Sequence, residues 1–268
     1  MGALVAAGGS TLSFETATDT PGFESVATVK FKTAGRVEAN GLVKIVMPNL
    51  GTNVQAGWRF TDAANTGKDG AISAGTANVP AIAYTTPNTG APVPGTITYT
   101  TADRELKFTC GTNGMAQATE HVFTITNVLT PSSAVAAGTV TMTTQDSQNR
   151  NIDTTALMTT EAIVAGALTA GGSTLSFETA TDTPGFESVA TVTFKTAGRV
   201  EASGFVKIVM PDLGTNVQAG WRFTDAANGG KDGALSSGTT NAPAIAFTTP
   251  ATGAPVAGTI TYTTADRE

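Results

Sequence analysis

The side chains that most often perform acid–base, nucleophilic or metal chemistry are scarce in this sequence. The chain holds one histidine, His121, and one cysteine, Cys110. A catalytic triad would have to use His121, and no Gly-x-Ser-x-Gly turn is present to carry a nucleophile. One Cys and one His cannot complete a four-ligand zinc site. We therefore predict that the protein is not an enzyme and that His121 is a surface or hydrogen-bonded structural residue. Cys110 is expected to be a small buried residue of an alternating strand, with a reactive or intermolecular thiol as the alternative.

Oxygen ligands for a hard cation occur in a loop that the sequence contains twice. Carboxylate and amide oxygens in a Gly-containing loop are what Ca²⁺ prefers. The loop lacks the EF-hand alternation and its distal Glu, and Lys68 would repel a cation, so an Asx- and Gly-rich turn without metal is the alternative. We expect no cofactor, with calcium as the one candidate. Its ligands would be Asp62, Asn65, Asp69, Asp225, Asn228 and Asp232.

Hydroxyl groups beside prolines form the second set of candidates. No Asn-x-Ser/Thr sequon occurs, although the chain is rich in Thr. Thr and Ser next to Pro are typical of O-glycosylated segments, and they are equally typical of ordinary turns. The candidate acceptors for O-linked glycans are Thr85, Thr86, Thr130, Ser132, Ser133, Thr248 and Thr249.

Two tryptophans, Trp58 and Trp221, are each followed by an arginine. Three roles remain open for them. An aromatic side chain in a strand is most often part of the core, but it can also anchor a contact between domains or subunits, or stack on a carbohydrate. We carry both residues forward as interface candidates.

The two tryptophans lie in a sequence that occurs twice in the chain. Residues 8–105 return as residues 171–268, about 163 positions later, with about a dozen mild changes. The repeat divides the chain at residue 166 into a complete copy, residues 1–166, and a second copy, residues 167–268. The second copy lacks a counterpart of the sequence that follows Glu105 in the first. Either the chain is a window from a longer array, or a neighbouring chain supplies the missing strands.

Composition and charge narrow the class of protein. The net charge of −6 and pI near 4.8, with no basic run, argue against a nucleic-acid partner. No apolar stretch is long enough to span a membrane as a helix. The low charged fraction of 13% and the abundance of Thr fit a secreted or surface protein. We expect an extracellular or cell-surface location.

Short alternating segments separated by Gly, Pro and Asn predict about nine or ten strands in each copy and no helix. The clearest strand covers residues 25–33, where Ala27, Val29 and Phe31 share one face. A hairpin turn at Asp103 and Arg104 leads into a strand over residues 105–110. This spacing predicts an all-β fold of tandem immunoglobulin-like antiparallel β-sandwich domains, the second one incomplete.

Several strand and turn motifs carry a resemblance to a known class of proteins. They are VATVKFKTAG at residues 26–35, GLVKIVMP at 41–48, FTITNV at 123–128 with PSS at 131–133, and GTVT at 138–141 with DS at 146–147. The sequence resembles tandemly repeated immunoglobulin-like β-sandwich proteins of algae and other protists, some of which resemble components of surface filaments and flagellar hairs. The resemblance implies a structural or adhesive role outside the cell.

The functional expectation is a structural repeat protein that forms or extends a filament or surface fibre. A unit repeated nearly verbatim is typical of an array in which each unit occupies a place. The expected partners are copies of the same protein, joined through strand exchange if the second copy is completed by a neighbour. The alternative is a cell-surface adhesin or carbohydrate-binding stalk with glycan partners.

Overall fold

The computed structural model describes residues 2–4, 12–51, 53, 56–61, 80–87, 89–168, 175–201, 203–213, 220–223, 245–248 and 261. Within these residues the chain forms β-strands and no α-helix. The strands are β1 (Gly2–Ala3), β2 (Ser13–Thr16), β3 (Glu24–Lys32), β4 (Leu42–Val46), β5 (Arg59–Phe60), β6 (Ile82–Thr86), β7 (Pro94–Thr100), β8 (Glu105–Cys110), β9 (Glu120–Leu129), β10 (Thr139–Gln145), β11 (Asn151–Thr160), β12 (Ser176–Thr179) and β13 (Ala190–Thr193). The expectation of an all-β protein is confirmed.

The first eleven strands form one mixed sheet. Its order is β5-β9-β3-β2-β11-β10-β4-β8-β7, with β1 beside β11 and β6 beside β9. Most neighbours are antiparallel, but β1 and β2 both run parallel to β11. The prediction of a purely antiparallel arrangement was therefore wrong. The two N-terminal strands run in the same direction as β11, and their pairing satisfies backbone groups along it that would otherwise form an open edge.

Period-two alternation places one face of each strand in a common core. On β3 the side chains of Ala27, Val29 and Phe31 are buried, while the residues between them are half-exposed. The rings of Phe108 on β8 and Phe123 on β9 lie 5.4 Å apart, although these two strands are not neighbours in the sheet. Two parts of the sheet thus face each other across the core.

A buried carboxylate fixes the turn between β3 and β4. The amide of Gly35 donates to both carboxylate oxygens of Asp153, at 3.1 and 3.2 Å. The hydroxyl of Thr144 also donates to this carboxylate, at 3.2 Å. A buried carboxylate is stable only when such donors replace water. Asp153 therefore fixes the position of the chain at Gly35, directly after β3.

The second copy of the repeat begins with the same hairpin as the first. Strands β12 and β13 pair with Phe177 opposite Val192, the counterparts of Phe14 opposite Val29 in β2 and β3. The chain groups into two units, Met1–Ala202 and Ser203–Glu268, so this hairpin belongs to the first unit. The division of the chain at residue 166 stays a prediction from the sequence. In the second unit the described residues contain no strand.

Candidate interface between successive repeats

A turn of the first repeat, residues 20–23, is held in place by Thr130. We call it the joint turn. The Thr130 hydroxyl donates to the carbonyl of Thr20 at 2.6 Å and accepts from the amide of Phe23 at 2.9 Å. The amide of Gly22 donates to the carbonyl of Pro131 at 2.8 Å. Gly22 has a φ of 63°, a conformation that favours glycine. These contacts make the turn a fixed projection at the end of the β9 strand.

The chain leaving β11 passes beside the joint turn. The amide of Val164 donates to the carbonyl of Asp19 at 2.9 Å. One residue earlier, Ile163 forms a bridge with Val135 and is buried. The connection between the repeats is therefore bonded to the first repeat on two sides.

Residues 197–201 of the second repeat, here called the acceptor segment, lie against the joint turn. The amide of Arg199 donates to the carbonyl of Gly22 at 3.2 Å. A Cβ atom at Gly198 would collide with the carbonyl of Pro21, and one at Gly166 would collide with Ala197. The close approach of the two repeats thus depends on positions without side chains.

A buried ion pair closes this contact. The Arg59 Nη2 atom lies 2.7 Å from the Glu201 Oε1 atom, and Arg199 approaches the other carboxylate oxygen at 3.5 Å. The Arg59 side chain is completely buried and that of Glu201 is 11% exposed. A guanidinium is rarely taken out of water without a paired anion. Arg59 comes from the first copy of the repeat and Glu201 from the second.

The core around Arg59 holds its backbone rigidly. Trp58 is 3% exposed and its ring meets Phe14 edge to face, with centroids 5.5 Å apart. The carbonyl of Trp58 accepts from the hydroxyl of Tyr99 at 2.9 Å, and Phe60 packs on the same tyrosine at 4.6 Å. Arg59 is therefore presented from a fixed strand, β5, beside β9.

Each copy of the repeat contains the residue types of both halves of this contact. The counterparts of Pro21 and Gly22 are Pro184 and Gly185, and the counterpart of Glu201 is Glu38. Gly185 has a φ of 73°, so the second turn keeps the conformation of the first. In the first repeat Glu38 pairs with Arg36 at 3.2 Å, as Glu201 does with Arg199.

Several of these counterparts are exposed, but Val37 is buried and a Cβ atom at Gly35 would collide with Ile152 of the same chain. Glu38 and Arg36 are 67% and 66% exposed. Residues 182–187, around the second turn, are exposed as well. Within the described part of the chain, a Cβ atom at Gly185 would meet no atom within 4 Å other than those of its two chain neighbours.

The other predicted site residues are scattered. The calcium candidates Asp62, Asn65, Asp69, Asp225, Asn228 and Asp232 lie outside the described residues, so calcium stays a prediction that a titration of the melting temperature can test. In the described part of the chain no three His, Cys, Asp or Glu side chains gather as a metal site. There is also no helix, in that part, of the length and apolarity needed to cross a membrane.

The glycosylation candidates differ in accessibility. Thr85, Ser133 and Thr248 are exposed, while Thr86 and Ser132 are half-buried. Thr249 lies outside the described residues. Thr130 is fully buried, with its hydroxyl oxygen bonded within the joint turn. The folded domain has no room for a sugar on Thr130, so its role is structural.

Cys110 and His121 both lie in the core. The expectation of a surface or hydrogen-bonded His121 was wrong, because its ring packs among aromatic side chains and neither ring nitrogen has a hydrogen-bond partner among the described residues. Burial raises the pKa of the Cys110 thiol to about 12. The His121 ring stacks on Phe31 at 5.3 Å and meets Tyr84 edge to face at 5.9 Å. Burial lowers the pKa of His121 to about 4, against a weaker opposite effect of the Ala116 carbonyl.

Sequence reasoning named the tryptophan and missed its neighbour. Trp58 lies in the core, whereas the adjacent Arg59 makes the contact between repeats. Trp221 is 37% exposed in the second unit. The available signal was the repeated Trp-Arg pair, but nothing in one sequence marks Glu201 as its partner across more than a hundred residues.

Comparisons with known proteins give no family. No protein-family model matches the chain, and no curated protein matches it. Among solved structures the chain is similar to the crystal structure of BslA, described as a bacterial hydrophobin, at 10% identity. The match covers 61% of this chain and 98% of that one, with a TM-score of 0.27. A score this low supports no statement about shared fold or function.

Proposed function

We propose that this protein is a non-enzymatic structural protein of the cell exterior, in which immunoglobulin-like β-sandwich repeats join end to end to form or extend a filament. The mixed sheet supports the fold part of the proposal, since β2 pairs with both β3 and β11 and the two parts of the sheet share one core. The low charged fraction and the Thr-rich sheets support an extracellular or surface location.

The observation that carries the proposal is the ion pair between Arg59 and Glu201. It connects two successive copies of one repeat, and the sequence supplies its members in both copies. Contacts between identical units that use two different surfaces propagate in one direction unless a rotation closes them into a ring. A rod or filament is the expected product of such a contact.

The proposal of a non-enzymatic role draws support from the two side chains that could have served as nucleophile or base. His121 is 1% exposed and Cys110 is fully buried. A catalytic group must reach its substrate within hydrogen-bond distance. Neither residue can do so in this fold.

Electron microscopy of the native material tests the function, with size-exclusion chromatography and light scattering on the recombinant chain alongside. Filaments whose axial repeat matches one domain would support it. Native material that is dispersed and monomeric would overturn it. Specific binding on a glycan array by such a monomer would favour the alternative, an adhesin or carbohydrate-binding stalk, although the buried Trp58 offers no stacking surface for a sugar.

A further inference from the structure

We propose that Asn113 is a site of spontaneous covalent modification, at which the side-chain amide is lost and an aspartyl or isoaspartyl residue forms. The reaction needs only water. It is favoured where glycine follows asparagine, because the next backbone nitrogen then belongs to a residue without a side chain that would hinder its attack. The structure describes two such pairs, Asn40-Gly41 and Asn113-Gly114. The site is separate from the contact between the repeats.

The first step is a substitution within the chain. The Gly114 nitrogen attacks the Asn113 Cγ atom, so that a new N–C bond closes a succinimide ring while the Cγ–Nδ2 bond breaks. The Gly114 nitrogen gives its proton to solvent, and the Nδ2 group takes a proton from solvent and leaves as ammonia. Water then opens the ring at one of its two carbonyl carbons. Opening at Cγ leaves aspartate, and opening at the main-chain carbonyl leaves isoaspartate.

The peptide group between Asn113 and Gly114 is available for this attack. Among the described residues no group accepts from the Gly114 amide, and none donates to the Asn113 carbonyl. Asn113 is exposed and lies in the connection between β8 and β9, so water reaches the ring as it forms. Gly114 has a φ of 63°, which glycine adopts without strain. No backbone hydrogen bond has to break before this peptide group can rotate.

The pair Asn40-Gly41 has the same motif but is held by hydrogen bonds. The amide of Gly41 donates to the carbonyl of Glu38 at 2.9 Å, and the amide of Asn40 donates to the carbonyl of Cys110 at 2.6 Å. The Gly41 nitrogen can attack only after its own bond has opened, and local opening of a bonded turn costs free energy. The fold therefore protects Asn40 and leaves Asn113 reactive.

The modification removes a contact that holds the connection between β8 and β9. The Asn113 Nδ2 group donates to the carbonyl of Ala91 at 2.9 Å, and the amide of Gly111 donates to the carbonyl of Val93 at 2.7 Å. A carboxylate has no proton to donate and would place its charge beside the Ala91 carbonyl oxygen. The isoaspartyl form also adds a methylene group to the main chain. Residues 111–113 are then expected to loosen from residues 91–93.

Peptide mapping by mass spectrometry measures both rates in one sample of the full chain, incubated at neutral pH. In the folded protein Asn113 should react about tenfold faster than Asn40, because one backbone hydrogen bond protects the slower site. In concentrated urea the two pairs should react at similar rates, since the fold no longer distinguishes them. The rate at Asn113 should rise with pH, because the attacking nitrogen must lose its proton. The third pair, Asn228-Gly229, lies outside the described residues.

Two variants complete the test. Asn113→Gln keeps a side-chain amide but would need a larger ring that closes slowly, so the mass change at position 113 should disappear while that at Asn40 stays as it was. Asn113→Asp introduces one product directly, and the Gly111 amide should then exchange faster with deuterium. An unchanged exchange rate at Gly111 would overturn the predicted loosening.

The two rates in the unaltered protein decide the proposal itself. Equal rates at Asn40 and Asn113 in the folded protein would overturn it. So would an Asn113 that reacts in urea and stays intact in the folded protein, because the fold would then protect both pairs.

Discussion

The guanidinium of Arg59 and the carboxylate of Glu201 form an ion pair at 2.7 Å in which the arginine is fully buried. Glu201→Gln keeps the size of the side chain and removes its charge beside that guanidinium. Removing one member of a buried pair costs about 3 to 5 kcal/mol. Because Glu201 keeps some exposure, we expect a loss of about 3 kcal/mol in the free energy of unfolding, measured by urea denaturation.

Glu38→Gln is the matched control, since Glu38 is the same residue in the first copy. Its carboxylate is 67% exposed and pairs with an equally exposed Arg36. Exposed pairs of this kind contribute about 0 to 1 kcal/mol. Equal losses in the two variants would show that the Arg59 contact does not stabilise the chain.

His121 should make the first repeat sensitive to acid. Its folded pKa is about 4, below the ordinary value of 6.5. Above that ordinary value the ring is neutral in both states, so its contribution to stability is complete. As the pH falls towards 4 the unfolded chain takes up a proton that the folded chain does not, which lowers the free energy of unfolding by up to about 3 kcal/mol.

His121→Phe isolates this effect. A phenyl ring can keep the stacking on Phe31 and the contact with Tyr84 without titrating. Guanidinium denaturation over a pH series measures the free energy of unfolding of both proteins. The value for His121→Phe minus the value for the unaltered protein should be about 3 kcal/mol larger at pH 4 than at neutral pH. Parallel curves for the two proteins would mean that His121 does not titrate in this range.

The strands were predictable because alternation is local. Apolar and polar side chains alternate from Leu106 to Cys110, and β8 begins and ends where this pattern predicts. The parallel pairing of β1 with β11 was not predictable, since Gly2 and Ala3 carry no alternation and Asp153 is about 150 residues away. Pairing at that distance is decided by the packed fold.

The contact between repeats was predictable only in part. The repeat predicted two successive copies, and the choice of Trp58 as an interface candidate indicated the right place on the chain. Choosing Arg59 over Trp58 requires knowing that the indole packs on Phe14. Thr130 shows the same limit, because a Thr-Pro pair looks like a surface turn until its hydroxyl is seen bonded to Thr20.

Asp153 should be needed for the stability of the first repeat. Asp153→Asn places an amide where two donors, the Gly35 amide and the Thr144 hydroxyl, now meet a carboxylate. An unsatisfied buried polar group costs about 1 to 3 kcal/mol, and charged acceptors lie at the upper end. Thr144→Val keeps the Gly35 contact but removes the hydroxyl that donates to the carboxylate and accepts from the Asp153 amide, so it should cost about 1 to 2 kcal/mol. A smaller loss in Asp153→Asn than in Thr144→Val, by urea denaturation, would contradict this account.

Trp58 should behave as a core residue. In Trp221→Phe the remaining tryptophan emission comes from Trp58, and it should be blue-shifted and poorly quenched by acrylamide. Trp58→Ala would remove the contact with Phe14 and should lower the free energy of unfolding by about 3 to 5 kcal/mol. Red-shifted, readily quenched emission from the Trp221→Phe protein would restore Trp58 as a surface candidate.

Thr130 should affect stability and carry no sugar. Thr130→Val keeps the shape of the side chain but leaves the Thr20 carbonyl and the Phe23 amide without their hydroxyl partner. The expected loss is about 1 to 3 kcal/mol, against less than about 0.5 kcal/mol for Ser133→Ala at an exposed position. Peptide mass spectrometry of native material should find any O-linked glycan at an exposed candidate, Thr85, Ser133 or Thr248, and not at Thr130. A glycan on Thr130 would mean that the joint turn is not closed when sugars are added.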